Sequence, residues 1–157
     1  MKRTILSIIA VAGAVAAPLV APAAADAAPA GTVHFSVGDS FNCAITADGK
    51  VGCDLPTPRQ MTITMNGTDR PVPFKVREVL IDSASLPAHP GPGVGTPHTL
   101  PGGNPPIEQV GHPSGTGADS GPEVDHGGAS CRLGFHGSFS CKSKGHGFGY
   151  YETITAN

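Results

Sequence analysis

The sequence predicts an all-β fold: a small disulfide-stapled sandwich or partly open barrel carrying a long Pro/Gly-rich loop. Three observations predict it. Apolar and polar residues alternate with period two over 32–82 and again over 131–157, and no helical repeat follows the first twenty-odd residues. The stretches CAITADGKVGC (43–53) and CRLGFHGSFSC (131–141) share the spacing Cys-x5-Gly-x3-Cys. Between them, over 83–130, nine Pro and eleven Gly fill 20 of 48 positions, which leaves few large apolar residues to offset the entropy of ordering.

The chain opens on Met1-Lys2-Arg3, an apolar run from Ile5 to Val20 and the small-residue segment APAAADAAPA. A charged start, an apolar stretch and Ala-x-Ala sites read as an export signal over 1–27, cut after Ala27, with sites two and four residues earlier nearly as good. Pro18 interrupts the run and no basic stop-transfer cluster follows, so the segment is too poor for a membrane span. What remains, 28–157, is one domain of 130 residues with eight basic and eleven acidic side chains. That balance excludes an electrostatic nucleic-acid or membrane-surface binder. The expected location is extracellular, and the expected state a monomer.

Thr32–Val37 places Val33, Phe35 and Val37 on one face of a half-buried strand. Met61–Met65 alternates in the same way and runs into Asn66-Gly67, a two-residue hairpin signal. Pro71 and Pro73 argue against immediate pairing, so the return strand is expected over Phe74–Ile81. Gly147–Ile154 is expected as a closing strand, giving about eight strands in all by this reading. The 83–130 tract is expected to be an irregular excursion, docked on the body by Leu100, Ile107 and Val110. Its removal over 88–126 should then leave the body folded.

All four cysteines lie after the export signal, in an oxidising compartment, and no Cys-x2-Cys knuckle is present. If Cys43 faces Cys53, the loop between them is Ala47-Asp48-Gly49, and Gly49 takes the left-handed position that closes a three-residue hairpin. The second copy gives the loop Phe135-His136-Gly137, with Gly137 left-handed. Ile45 then meets Val51 and Leu133 meets Phe139, beside the disulfides Cys43–Cys53 and Cys131–Cys141.

Two family resemblances attach to these residues. FSVGDSFNCAITADGKVGCDL resembles the strand pair of a regulator-of-chromosome-condensation-type propeller repeat; Asp54-Leu55 stands where that family has Trp-Gly, and one copy cannot build a propeller. Phe35-Ser36, the Cys43–Asp54 element, Cys141 and Gly145-His146-Gly147-Phe148 together resemble small secreted actinobacterial domains of unknown function. The second resemblance covers the two ends of the chain and implies a fold but no activity.

Chemistry is sparse. Gly38-Asp39-Ser40 resembles the nucleophile block of Gly-Asp-Ser-Leu hydrolases, and an esterase using Ser40 would also need a base, an orienting acid and oxyanion donors. Phe41 replaces the Leu, no Asp-x-x-His occurs, and the residues read better as a turn. The seven histidines include His126, His136 and His146 at intervals of ten, the best candidates for a metal site, yet no His-x-His or His-Glu-x-x-His fixes ligand geometry. A protease inhibitor would want a disulfide bracketing a short reactive segment, which is missing. No catalytic residue and no cofactor are therefore expected. The expectation is a non-catalytic binding or cell-envelope-associated module, touching an unidentified protein or envelope partner through 83–130.

Overall fold

A computed structural model describes residues 31–117 and 120–157. The export signal read over 1–27 lies outside the described residues. Among the described residues, thirteen strands form two sheets. The first holds β1 (Val33–Val37), β2 (Phe41–Ile45), β3 (Val51–Arg59), β6 (Val76–Ile81) and β7 (His89–Pro90), in that spatial order. The second runs β5 (Thr68–Pro71), β4 (Met61–Met65), β13 (Ile154–Ala156), β12 (His146–Tyr150), β11 (Phe139–Ser143), β10 (Ala129–Leu133), β9 (Gly121–His126) and β8 (His112–Ser114). The sheets are open and stack face to face, so the sandwich form of the expected all-β class is the one adopted.

Strand alternation decides what lies between the sheets. Val33, Phe35 and Val37 on β1 pair with Ile45, Cys43 and Phe41 on β2, and all six point inward. From the second sheet come Cys131, Phe139, Cys141, Phe148 and Ile154. The Phe41 ring lies 5.1 Å from Phe139 and 5.0 Å from Tyr150, tying the two inner faces by aromatic contact. Both disulfides stand in this layer, with all four cysteines fully buried. Each joins directly opposed residues of a hairpin, with Cα atoms 4.1 Å apart. Closing eleven residues is worth about 2.5–3 kcal/mol per bridge in the chain-entropy account.

The two hairpins adopt the expected register, Ile45 against Val51 and Leu133 against Phe139. Gly49 and Gly137 are both left-handed, at φ 75° and 76°. The turns differ in what they touch. A Cβ on Gly49 would stand 2.3 Å from the carbonyl oxygen of Gly127, in the turn between β9 and β10, whereas one on Gly137 would meet nothing. Gly49 and Gly127 thus let two turns from opposite sheets meet backbone to backbone, held by Ser143 Oγ donating to the Gly49 carbonyl and Lys144 Nζ to that of Asp48.

Three expectations are corrected. The return strand after Asn66-Gly67 is β5, which pairs at once with β4 and puts Pro71 opposite Thr62. Proline is tolerated because β5 is the sheet edge, where its missing N–H faces no partner strand. The strand expected from Phe74 starts at Val76, and Phe74 is exposed. The closing segment is two strands, β12 and β13, with a bend over 151–153; β13 then pairs in parallel with β4, Ile154 opposite Met61.

The 83–130 tract holds far more regular structure than expected: β7, β8, β9, the start of β10, and a single helical turn α1 (Ile107–Val110). Ile107 is fully buried in the core, while Val110 is exposed and Leu100 half-buried. Excision of 88–126 would therefore remove core residues and two strands of the second sheet.

Candidate functional site

Gly38-Asp39-Ser40 is a turn, with Gly38 left-handed at φ 47° and the Ser40 amide donating to the Val37 carbonyl at 3.1 Å. No imidazole hydrogen-bonds the Ser40 hydroxyl among the described residues; the ring bonds of His89, His98, His126 and His146 all go elsewhere.

The candidate metal histidines are not brought together. His126 pairs with Ala129 on β10, next to the Ser130–Lys142 pair that joins β10 to β11, and Ser143, next to Lys142, pairs with His146 on β12. Two strands thus separate His126 from His146, about 14 Å at the usual strand spacing. His136 sits at the tip of the β10–β11 turn, at the other end of those strands, its ring against Phe135. His126 Nε2 donates to the Gly31 carbonyl, and His146 Nε2 to that of Ala84 at 3.1 Å, so each serves a local contact.

Two other places concentrate polar groups. The first is the outer face of the first sheet. Asp54 on β3 and Glu78 on β6 are directly opposed, only 4% and 5% exposed, beneath the loop 91–106. Asp54 Oδ2 accepts from the His98 amide at 2.9 Å and the Thr99 hydroxyl at 2.7 Å. Glu78 Oε1 meets His98 Nε2 at 2.9 Å, and its Oε2 accepts from the Gly93 amide at 2.9 Å. The His98 ring lies flat over Gly52, where any Cβ would stand 2.0 Å from Cε1. Asn104 fastens the loop: its Nδ2 donates toward the carbonyls of His98, Phe35 and Cys43 at 2.9–3.1 Å, and its Oδ1 accepts from the Leu100 amide. Ser36 completes the seam, its amide donating to Pro105 at 2.8 Å. His34, on the same face, has its pKa lowered, first by burial and then by the nearby His98. For His89, burial works against the proton, but the Pro90 carbonyl, Asp82 and Glu78 outweigh it and raise the pKa.

The second is the outer face of the eight-stranded sheet, which no loop among the described residues covers along its centre. Register lines up Glu123, Arg132, Ser140, Gly149, Thr155 and Thr62 across six neighbouring strands. The next row holds Asp125, Ser130, Lys142 and Gly147. With Gly147 and Gly149 both on β12, the sheet has a trough there, flanked by Ser140 and Lys142 on one side and Thr155 on the other. The trough is an open groove of about 850 Å³, continuous through Ser140, Gly149 and Thr155 with a hollow of about 430 Å³ reaching Arg132 and Tyr151. Its charged lining residues are Arg132, Lys142, Lys144 and Glu152, with Tyr151 exposed at one end. Glu123, one strand beyond Arg132, is held below the usual carboxylate pKa by hydrogen bonds from Ser114 and Ser130 and so stays ionised.

The two glycines have different reasons. A Cβ at Gly147 would press on the Cys141 carbonyl at 2.9 Å, so packing accounts for it. At Gly149 the nearest atom would be Thr155 Oγ1 at 3.7 Å, an ordinary contact, and its φ is not left-handed. Sequence reasoning missed both places. The groove depends on which face of β12 its glycines occupy, and the Asp54–Glu78 pair on a long-range register, neither of which a local pattern carries. Comparison with protein-family models, curated proteins and solved structures found no match.

Proposed function

We propose that the chain is an exported, non-catalytic binding module that holds an acidic polysaccharide strand in the groove along β12. The observation that carries this reading is Gly149. Glycine inside a strand is destabilising and gives nothing to pack; where neither turn geometry nor a neighbouring backbone demands it, close approach of a ligand is the remaining reason. Hydroxyls of Ser140 and Thr155 beside this floor offer donors and acceptors to sugar hydroxyls. Arg132 and Lys142 supply positive charge in a chain whose net charge is −2, which favours a carboxylated polymer over a neutral one. Tyr151, at the end of the groove, gives an amphipathic ring for one sugar face. Two buried disulfides suit an oxidising location outside the cell.

Affinity electrophoresis through gels containing polygalacturonate, with dextran as the neutral control, tests the reading. Wild type is expected to be retarded by polygalacturonate alone, less so as salt rises. Gly149→Val, which fills the floor without a backbone clash, is expected to fold and lose at least tenfold in affinity. Unchanged retardation of that variant would overturn the assignment of the groove.

A further inference from the structure

We propose that Asp54, Glu78 and His98 form a binding site for one divalent transition-metal ion of the Zn²⁺ class, beneath the 91–106 loop. One ligand atom from each of the three lies within 4.8 Å of the others. Zn²⁺ bonds of about 2.0–2.2 Å require tetrahedral ligand atoms roughly 3.3 Å apart, so a small closure of the three side chains suffices. One imidazole with two carboxylates is the donor mixture that suits Zn²⁺ better than Mg²⁺ or Ca²⁺, which favour all-oxygen sets.

The hydrogen bonds already present do not use up the donor atoms. Both bonds to Asp54 fall on Oδ2, and the Gly93 amide takes Glu78 Oε2. These contacts orient the carboxylates, as supporting groups do in built metal sites; among the described residues Asp54 Oδ1 carries no hydrogen bond, and Glu78 Oε1 is bonded to His98 Nε2. Charge argues the same way. Two carboxylates lie almost wholly buried, and among the described residues the His98 imidazole is the only basic side chain within ion-pair distance of either. Buried charge is costly unless compensated, and a divalent ion neutralises two carboxylates, where a single imidazole side chain balances one at most. On binding, His98 Nε2 gives up the proton it directs at Glu78 and the metal takes its place, the neutral ring keeping one proton on Nδ1 and any second proton leaving to solvent. The ion would then join β3, β6 and the loop at one point.

The experiment uses the exported protein freed of metal by chelator, titrated with Zn²⁺ alone. Calorimetry is expected to give one ion per chain, undiminished in His126→Ala/His136→Ala/His146→Ala. His98→Gln and Glu78→Gln are each expected to weaken binding at least tenfold. Since either variant could disturb the loop, long-range ¹H–¹⁵N spectra of the wild-type histidine rings supply a second readout: the His98 signals should move to a new position with one equivalent. Absence of one-to-one binding, shifts confined to other histidines, or full affinity in a folded His98→Gln would each overturn the proposal.

Discussion

At the scale of single residues, two glycines at the same place in a repeated motif have unequal roles. Gly49 and Gly137 share a left-handed φ, so alanine at either costs about 1–2 kcal/mol in steric strain between its Cβ and the backbone. Only at Gly49 would the new Cβ also strike a backbone atom, the Gly127 carbonyl. Gly137→Ala is expected to cost about 1 kcal/mol, and Gly49→Ala at least about 3 kcal/mol once overpacking is added, as read from urea midpoints. Equal midpoints would show that the turn-to-turn contact carries no energy. His89 gives a pH signature. Its folded pKa is raised, so its contribution is complete below the ordinary histidine value and is lost as pH rises through the folded value. The stability difference between wild type and His89→Asn should therefore shrink from pH 6 toward pH 8. A difference growing with pH would contradict the Asp82 and Pro90 contacts.

At the scale of elements, the loop 91–106 behaves as a strap rather than a free excursion. Asn104 touches three carbonyls and one amide, joining the loop to β1 and β2 through bonds a hydrophobic side chain cannot make. Asn104→Ala is expected to cost about 1–3 kcal/mol, and to speed hydrogen exchange at the Leu100 and Ser36 amides before it affects the β10–β11 hairpin. Uniform acceleration across both sheets would place Asn104 in the global unfolding unit instead. The contrast between hairpin and strap explains what was legible beforehand. Cys spacing, Asn66-Gly67 and the left-handed glycines are local signals whose partners lie within a dozen residues, and they gave register, disulfides and turns. Asp54 and His98 are 44 residues apart, and their encounter depends on Gly52 leaving room for a ring, which no periodicity reports. The tract also misled through composition: Pro and Gly lower the chance of long strands, yet β8 and the beginning of β9 accept prolines at Pro113 and Pro122 near the sheet edge.

At the scale of the whole molecule, the sandwich exposes two outer faces and treats them differently. The first is closed by the strap over buried carboxylates. The second is left open along β12, where hydroxyl and basic side chains border a glycine floor. No helix among the described residues is long and apolar enough to cross a membrane. The division predicts that ligand capture and loop fastening are separable: Asn104→Ala should leave polygalacturonate binding intact, whereas Lys142→Glu should reduce it with little change in stability. The most direct measurement is a backbone amide titration of the ¹⁵N-labelled protein with oligogalacturonate. Saturable shifts centred on Ser140, Lys142, Gly149 and Thr155, with 91–106 unmoved, are the result the account predicts. Shifts centred on 91–106, or none at millimolar ligand, would contradict it.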